Sequence, residues 1–171
     1  HLSIRRQRQM CIRDSGNDPQ RITVSSKQTL RDYIEKFGFG RVTGIEQAGE
    51  VSSSIKPTTA SDIDYANMSF GQGISVNSLQ MVAAVGAIAN GGTLMKPYLV
   101  EGEVVDERIV NQTRPQKVRA VMSEPAAAQL TQMMTQVVEH GSGYLTKMKG
   151  YSIAGKTGTA QVPRADGKGY E

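Results

Sequence analysis

The chain has 171 residues, 38% apolar and 21% charged, which is enough for one domain with a core and argues against wholesale disorder. Its net charge of +4 is modest and partly gathered in "RRQR", Arg5 to Arg8; with three Phe, six Tyr and no Trp there is little to stack on bases, so no nucleic-acid partner is indicated. The single Cys11 excludes an internal disulfide framework and a multi-cysteine metal site, His1 and His140 stand far apart, and no apolar run is long enough to span a membrane.

In chain order, residues 1–15 come first. They have no hydrophobic period and resemble a translated sequencing-adapter read. They are expected to be a non-native leader that does not pack on the domain, with residues 16–171 forming the C-terminal part of that domain. The chain begins with His1 rather than Met and stops soon after a motif, so it is expected to be truncated at both ends.

The first helical signal is "SSKQTLRDYIEKFGFG". Ser26 is placed to cap it, Leu30, Ile34 and Phe37 form one apolar face, and Gly38 ends it. The glycine-rich "FGFGRVTGIEQAGE" then reads as an irregular connection, and "VSSSIKPTTASDIDYANMSFGQGIS" as a long surface loop. Asn77 caps the clearest helix, "SLQMVAAVGAIA", which Asn90-Gly91-Gly92 closes. That helix is apolar nearly all round and is expected to be buried and central.

Short strands come next, in "TLMKPYLV", "EVVDERIV" and "KVRAVM". Pro97 makes the first an edge strand or delays its start. Ser123 caps the last helix, Glu124 and Pro125 fill its first turn, and it runs to Gly141. Leu130, Met134 and Val137, with Met133 and Val138 beside them, form its buried stripe. Helices mixed with short strands, without βαβ alternation, give an α+β or mixed α/β domain.

The chemistry is concentrated in "GYSIAGKTGTAQ". Gly150, Gly155, Lys156 and Thr157 satisfy the phosphate-loop pattern, which would make this a nucleotide-binding protein. That reading needs an apolar strand before the motif and a helix beginning at its Lys-Thr. The polar "TKMKG" precedes it instead, and Gly158, Pro163 and Gly167 interrupt any helix on its C-terminal side. Tyr151, Ile153 and Gly155 alternate with Ser152, Ala154 and Lys156, so residues 151–161 are expected to form a strand. On a strand, Lys156 presents a positive charge for a carboxylate. Gly158 lets a substrate approach the backbone, and the N–H groups beyond it can stabilise an oxyanion.

"GKTGTAQ" resembles the third active-site motif of the penicillin-binding proteins, a motif that serine β-lactamases share. "FGFGRVTGIEQAGE", "SFGQGISVNSLQMVAAVGAIANGGTLMKPYLV" and "VVEHGSG" are similar to segments that flank that motif in the class B branch, so the resemblance covers about Leu30 to Gln161. It implies a penicillin-binding transpeptidase fold, an antiparallel sheet with helices. The implied activity is a serine D,D-transpeptidase that cross-links the D-Ala-D-Ala stem peptides of peptidoglycan and binds β-lactam antibiotics. It implies no metal and no organic cofactor, cell-wall assembly partners, and a membrane anchor with the catalytic domain outside the cytoplasmic membrane. A β-lactam sensor or a β-lactamase is the alternative.

Only the third motif carries over residue by residue. Lys156 takes the charge role at the substrate carboxylate, Thr157 hydrogen-bonds it, Gly158 gives close approach, and the Thr159 N–H is an oxyanion donor. The nucleophilic serine of S-x-x-K and the S-x-N motif have no clear match. "SSIK", Ser53 to Lys56, fits the first by letters but lies where the family has a loop. "SSK", Ser25 to Lys27, has Lys27 where the second motif requires Asn. Both motifs are expected to lie upstream of this chain.

Overall fold

A computed structural model describes residues 22–158; the leader 1–15 and Thr159 lie outside them. The chain divides into two compact units. One takes in, of the described chain, residues 22–32, 55–75 and 156–158, and the other Tyr33–Ser54 and Val76–Gly155.

Helix α1, Val24–Lys36, begins three residues before the start that a Ser26 cap would give, because Thr23 supplies the cap. The Ser26 N–H donates to Thr23 Oγ1 at 3.1 Å. Gly38 lies beyond the helix at φ +94°, in the left-handed region that a glycine enters without steric cost. A Cβ at Gly38 would press on Leu94 Cδ2 at 3.2 Å.

The supposed surface loop contains a second helix, α2, Asp62–Met68. Ser61 caps it and Asp64 completes a reciprocal capping box. This seven-residue helix was hidden in the sequence because Ser, Thr and Asp also mark loops. The Ser61-x-x-Asp64 spacing was the signal that separates the two readings.

Helix α3, Ser78–Ala89, obeys its caps. Gln80 N–H donates to Asn77 Oδ1 at 2.8 Å, and Asn77 N–H donates to Gln80 Oε1 at 3.0 Å. Its burial departs from expectation. Gln80, Ala84 and Ala87 are buried, whereas Val82 is 70% exposed and Met81 and Val85 are each nearly half exposed in this chain. One face meets the core and the opposite face has no cover among the described residues.

That core joins Ala87, Leu94 and Val121, with Phe37, Ala83 and Met122 packed against them. Leu94 comes from strand β1, Thr93–Met95, and Val121 follows strand β4, Lys117–Ala120; the two strands pair antiparallel, with Thr93 facing Ala120 and Leu94 facing Arg119. β1 stops before Pro97, which has no N–H for a ladder.

"EVVDERIV" is not one strand but a hairpin of β2, Glu103–Val105, and β3, Arg108–Val110. Asp106 and Glu107 both sit at positive φ, 49° and 61°, the geometry of a two-residue turn usually signalled by Asn-Gly. Without that dipeptide the turn was not legible.

Helix α4, Glu124–Glu139, starts as expected: the Ser123 side chain accepts from the Ala126 N–H, and proline lies in the first turn. Ala127 and Val138 are its fully buried residues. Leu130, Met134 and Val137 are half-buried, and Met133 points outward.

Candidate active site

The sequence places the candidate chemistry just past a fixed point on α4. Gly155 N–H donates to the Met134 carbonyl at 3.2 Å, and a Cβ on Gly155 would lie 3.2 Å from Val138 Cγ2. Glycine at this position lets the backbone lie against the helix. The expected strand does not appear: residues 151–158 pair with no strand among the described residues. Alternation sets the two faces of a strand, but a strand also needs a neighbour's hydrogen-bonding edge. No helix begins at Lys156 or Thr157 either, so the context that a phosphate loop requires is missing from 151–158.

Lys156, Thr157 and Gly158 are exposed together. The Lys156 ammonium donates to the Thr157 carbonyl at 2.8 Å and lies 3.3 Å from Thr157 Oγ1. It has no carboxylate partner among the described residues. A Cβ built on Gly158 meets nothing within 4 Å. The segment therefore presents a cation, a hydroxyl and an open stretch of backbone to solvent. That set of groups suits a carboxylate-bearing ligand.

Another lysine of this unit, Lys27, is engaged. Lys27, 7% exposed, reaches Asp62 Oδ1 at 2.7 Å and the Ala60 carbonyl at 2.7 Å, with the Tyr65 ring centred 5.4 Å away. Asp62 Oδ2 accepts from the Ile22 N–H at 3.1 Å. Lys27 ties the first turn of α1 to the start of α2. This pairing across 35 positions left no local signal.

The letters of "SSIK" also resolve into structural contacts. Ser53 Oγ accepts from the Gly40 N–H, and Lys56 pairs with Asp64 at 3.8 Å. Asp64 is held below its ordinary pKa chiefly by the Ser61 hydroxyl, with desolvation opposing and Lys56 helping. Among the described residues no group of three or more His, Cys, Asp or Glu could hold a metal, and no helix is long and apolar enough to cross a membrane.

An antiparallel β1–β4 pair packed on α3, a separate β2–β3 hairpin and capped helices make a mixed α/β domain, and its Lys-Thr-Gly is exposed. Residues 20–171 match the penicillin binding protein transpeptidase domain, and the chain belongs to that family. It is 39% identical over 148 residues to stage V sporulation protein D of Bacillus subtilis (strain 168), covering 85% of this chain and 23% of that protein. Penicillin-binding protein 3 of Mycobacterium tuberculosis, solved in complex with ampicillin, superposes with a TM-score of 0.75 at 31% identity, over 86% of this chain and 36% of the other. Penicillin-binding protein 2B of Streptococcus pneumoniae (strain R6) gives 0.78 at 26%, over 95% and 29%. The chain thus spans about a quarter of the length of the curated relative.

Proposed function

We propose that the complete protein is a serine D,D-transpeptidase of peptidoglycan, and that this chain supplies its third active-site motif. The observation that carries the reading is the exposed Lys156-Thr157-Gly158 segment, whose ammonium has no carboxylate partner among the described residues of a chain in this family. Lys156 and Thr157 hold the terminal carboxylate of a D-Ala-D-Ala stem, and Gly158 admits its backbone. The Thr159 N–H is one of two oxyanion donors, and the other is the N–H of the nucleophile.

The nucleophile and the S-x-N motif belong to segments outside this chain. The serine Oγ attacks the penultimate D-Ala carbonyl as a base takes its proton. The amide C–N bond breaks, and terminal D-Ala leaves with a proton on its nitrogen. An amine of a neighbouring stem then attacks the ester, and the serine oxygen regains its proton. A β-lactam opens on the same serine, but its leaving nitrogen stays tethered, so the acyl-enzyme persists. Resemblance to the class B branch supports a membrane anchor with the domain outside the cytoplasmic membrane, and cell-wall assembly proteins as partners.

The test incubates the complete gene product with fluorescent penicillin and maps the adduct by mass spectrometry. One labelled serine upstream of Ser25 is expected, and none in the 171-residue chain alone. No adduct in the complete protein would defeat the reading. A stoichiometric adduct on Ser53 would relocate the nucleophile into "SSIK".

A further inference from the structure

Away from the Lys-Thr-Gly segment, a cleft of about 80 Å³ opens between the 37–43 connection, α3 and the β1–β4 pair. Phe37, Val42, Leu94 and Pro97 give it apolar walls, and Arg41 and Arg119 also line it. Among the described residues no carboxylate lines the cleft, and both arginines are exposed. Neither guanidinium makes an ion pair or side-chain hydrogen bond among the described residues. Gln80, the buried polar side chain at its base, is already satisfied, donating to the Arg41 carbonyl and accepting from the Asn77 N–H. The same Gln80 bond holds the 41–43 backbone against α3, and the close approach of Gly38 to Leu94 fixes the opposite wall. The cleft is therefore preformed, apolar inside, and served by two unneutralised cations.

We propose that this cleft docks an acidic segment of a partner protein, with one aliphatic side chain entering it and flanking carboxylates pairing with Arg41 and Arg119. The volume favours a single side chain, since a cavity of roughly 150 Å³ is needed to hold a benzene-sized group. The planar guanidinium fork matches carboxylate geometry, and arginine is enriched where interfaces concentrate their binding energy. A membrane surface is the poorer match: recognition of anionic lipid rests on clusters of roughly four to eight basic residues.

The test uses the complete gene product and a fluorescein-labelled Gly-Glu-Glu-Leu-Glu-Glu-Gly peptide, followed by fluorescence anisotropy. Saturable binding that weakens with salt is expected. Replacing the peptide's Leu by Ser, or its Glu residues by Gln, should each weaken binding at least tenfold. The Arg41→Glu/Arg119→Glu pair should abolish it, and the milder Arg41→Gln/Arg119→Gln pair should weaken it at least tenfold, with penicillin acylation unchanged in both. Equal binding of the Glu and Gln peptides, or binding indifferent to both arginine pairs, would overturn the proposal. So would arginine-dependent binding to phosphatidylglycerol vesicles without peptide binding. Concentration-dependent dimerisation that the arginine changes abolish would assign the cleft to a second copy and likewise overturn it.

Discussion

Lys27 and Lys156 belong to the same compact unit and have opposite fates. Lys27 is buried against a carboxylate, a carbonyl and a ring, whereas Lys156 is exposed and, among the described residues, reaches only Thr157 next to it. Two glycines repeat the contrast. Gly92 sits at φ +93°, where a Cβ would fall 2.8 Å from Met122 Cγ and closer still to its carbonyl oxygen, while the space around Gly158 is open. A side chain whose partners are all internal holds the fold. A side chain left with open space beside it is available to a ligand. Residue type does not separate the two cases, but the partners of each residue do.

The largest effect should come from Gly92→Ala. The left-handed backbone costs about 1–2 kcal/mol for an L-residue, and the clash adds a comparable amount, so unfolding free energy should fall by about 3 kcal/mol. Gly158→Ala should stay within about 0.5 kcal/mol of the unsubstituted protein while slowing acylation. Urea denaturation of the two variants side by side checks the pair; equal losses would break the comparison.

Lys27→Met comes next. It removes the Lys27 ammonium from Asp62 and leaves the Ile22 N–H bond in place, and Asp62 is 35% exposed. A fully buried pair would lose about 3–5 kcal/mol, so about 2 kcal/mol is expected here. The melting temperature should drop, whereas Lys156→Ala should leave it unchanged. A Lys27→Met variant as stable as the parent would show that its contacts do not hold the unit together.

The smallest effect concerns Glu50. Burial raises its pKa, but hydrogen bonds from Thr43, Gly44 and Asn77 outweigh this and hold it below the ordinary value of 4.5. Its charged form is thus favoured by folding. The stability it contributes is present above pH 4.5 and is lost as the pH falls through the lowered folded value. Glu50→Gln should flatten part of the acid limb of the stability profile, read as urea midpoints above and below that pH. An unchanged acid limb would mean that the loop does not depend on the charge.

Legibility in the sequence divides along the same line. Helices α3 and α4 were readable because Asn77, Gln80, Asn90 and Ser123 close their ends through neighbours three or four positions away. Gly38 was readable for the same reason. The Lys27–Asp62 pair and the basic cleft were not, because each joins residues far apart in the chain. The hairpin escaped because Asp106 and Glu107 adopt a glycine-like turn without its usual residues. The strand expected through the Lys-Thr-Gly motif rests on alternation, a local property, whereas strand pairing depends on a partner edge. That Lys156, Thr157 and Gly158 stand together is legible because they are consecutive.

The most direct measurement is the rate of penicillin acylation of the complete protein, with and without Lys156→Ala, alongside the melting temperature of each. Losing a charge-assisted hydrogen bond to a carboxylate costs on the order of 1.5–3 kcal/mol, so the rate should fall roughly ten- to a hundredfold at an unchanged melting temperature. An unchanged acylation rate would contradict the claim that the open cation at Lys156 is the group that meets the ligand.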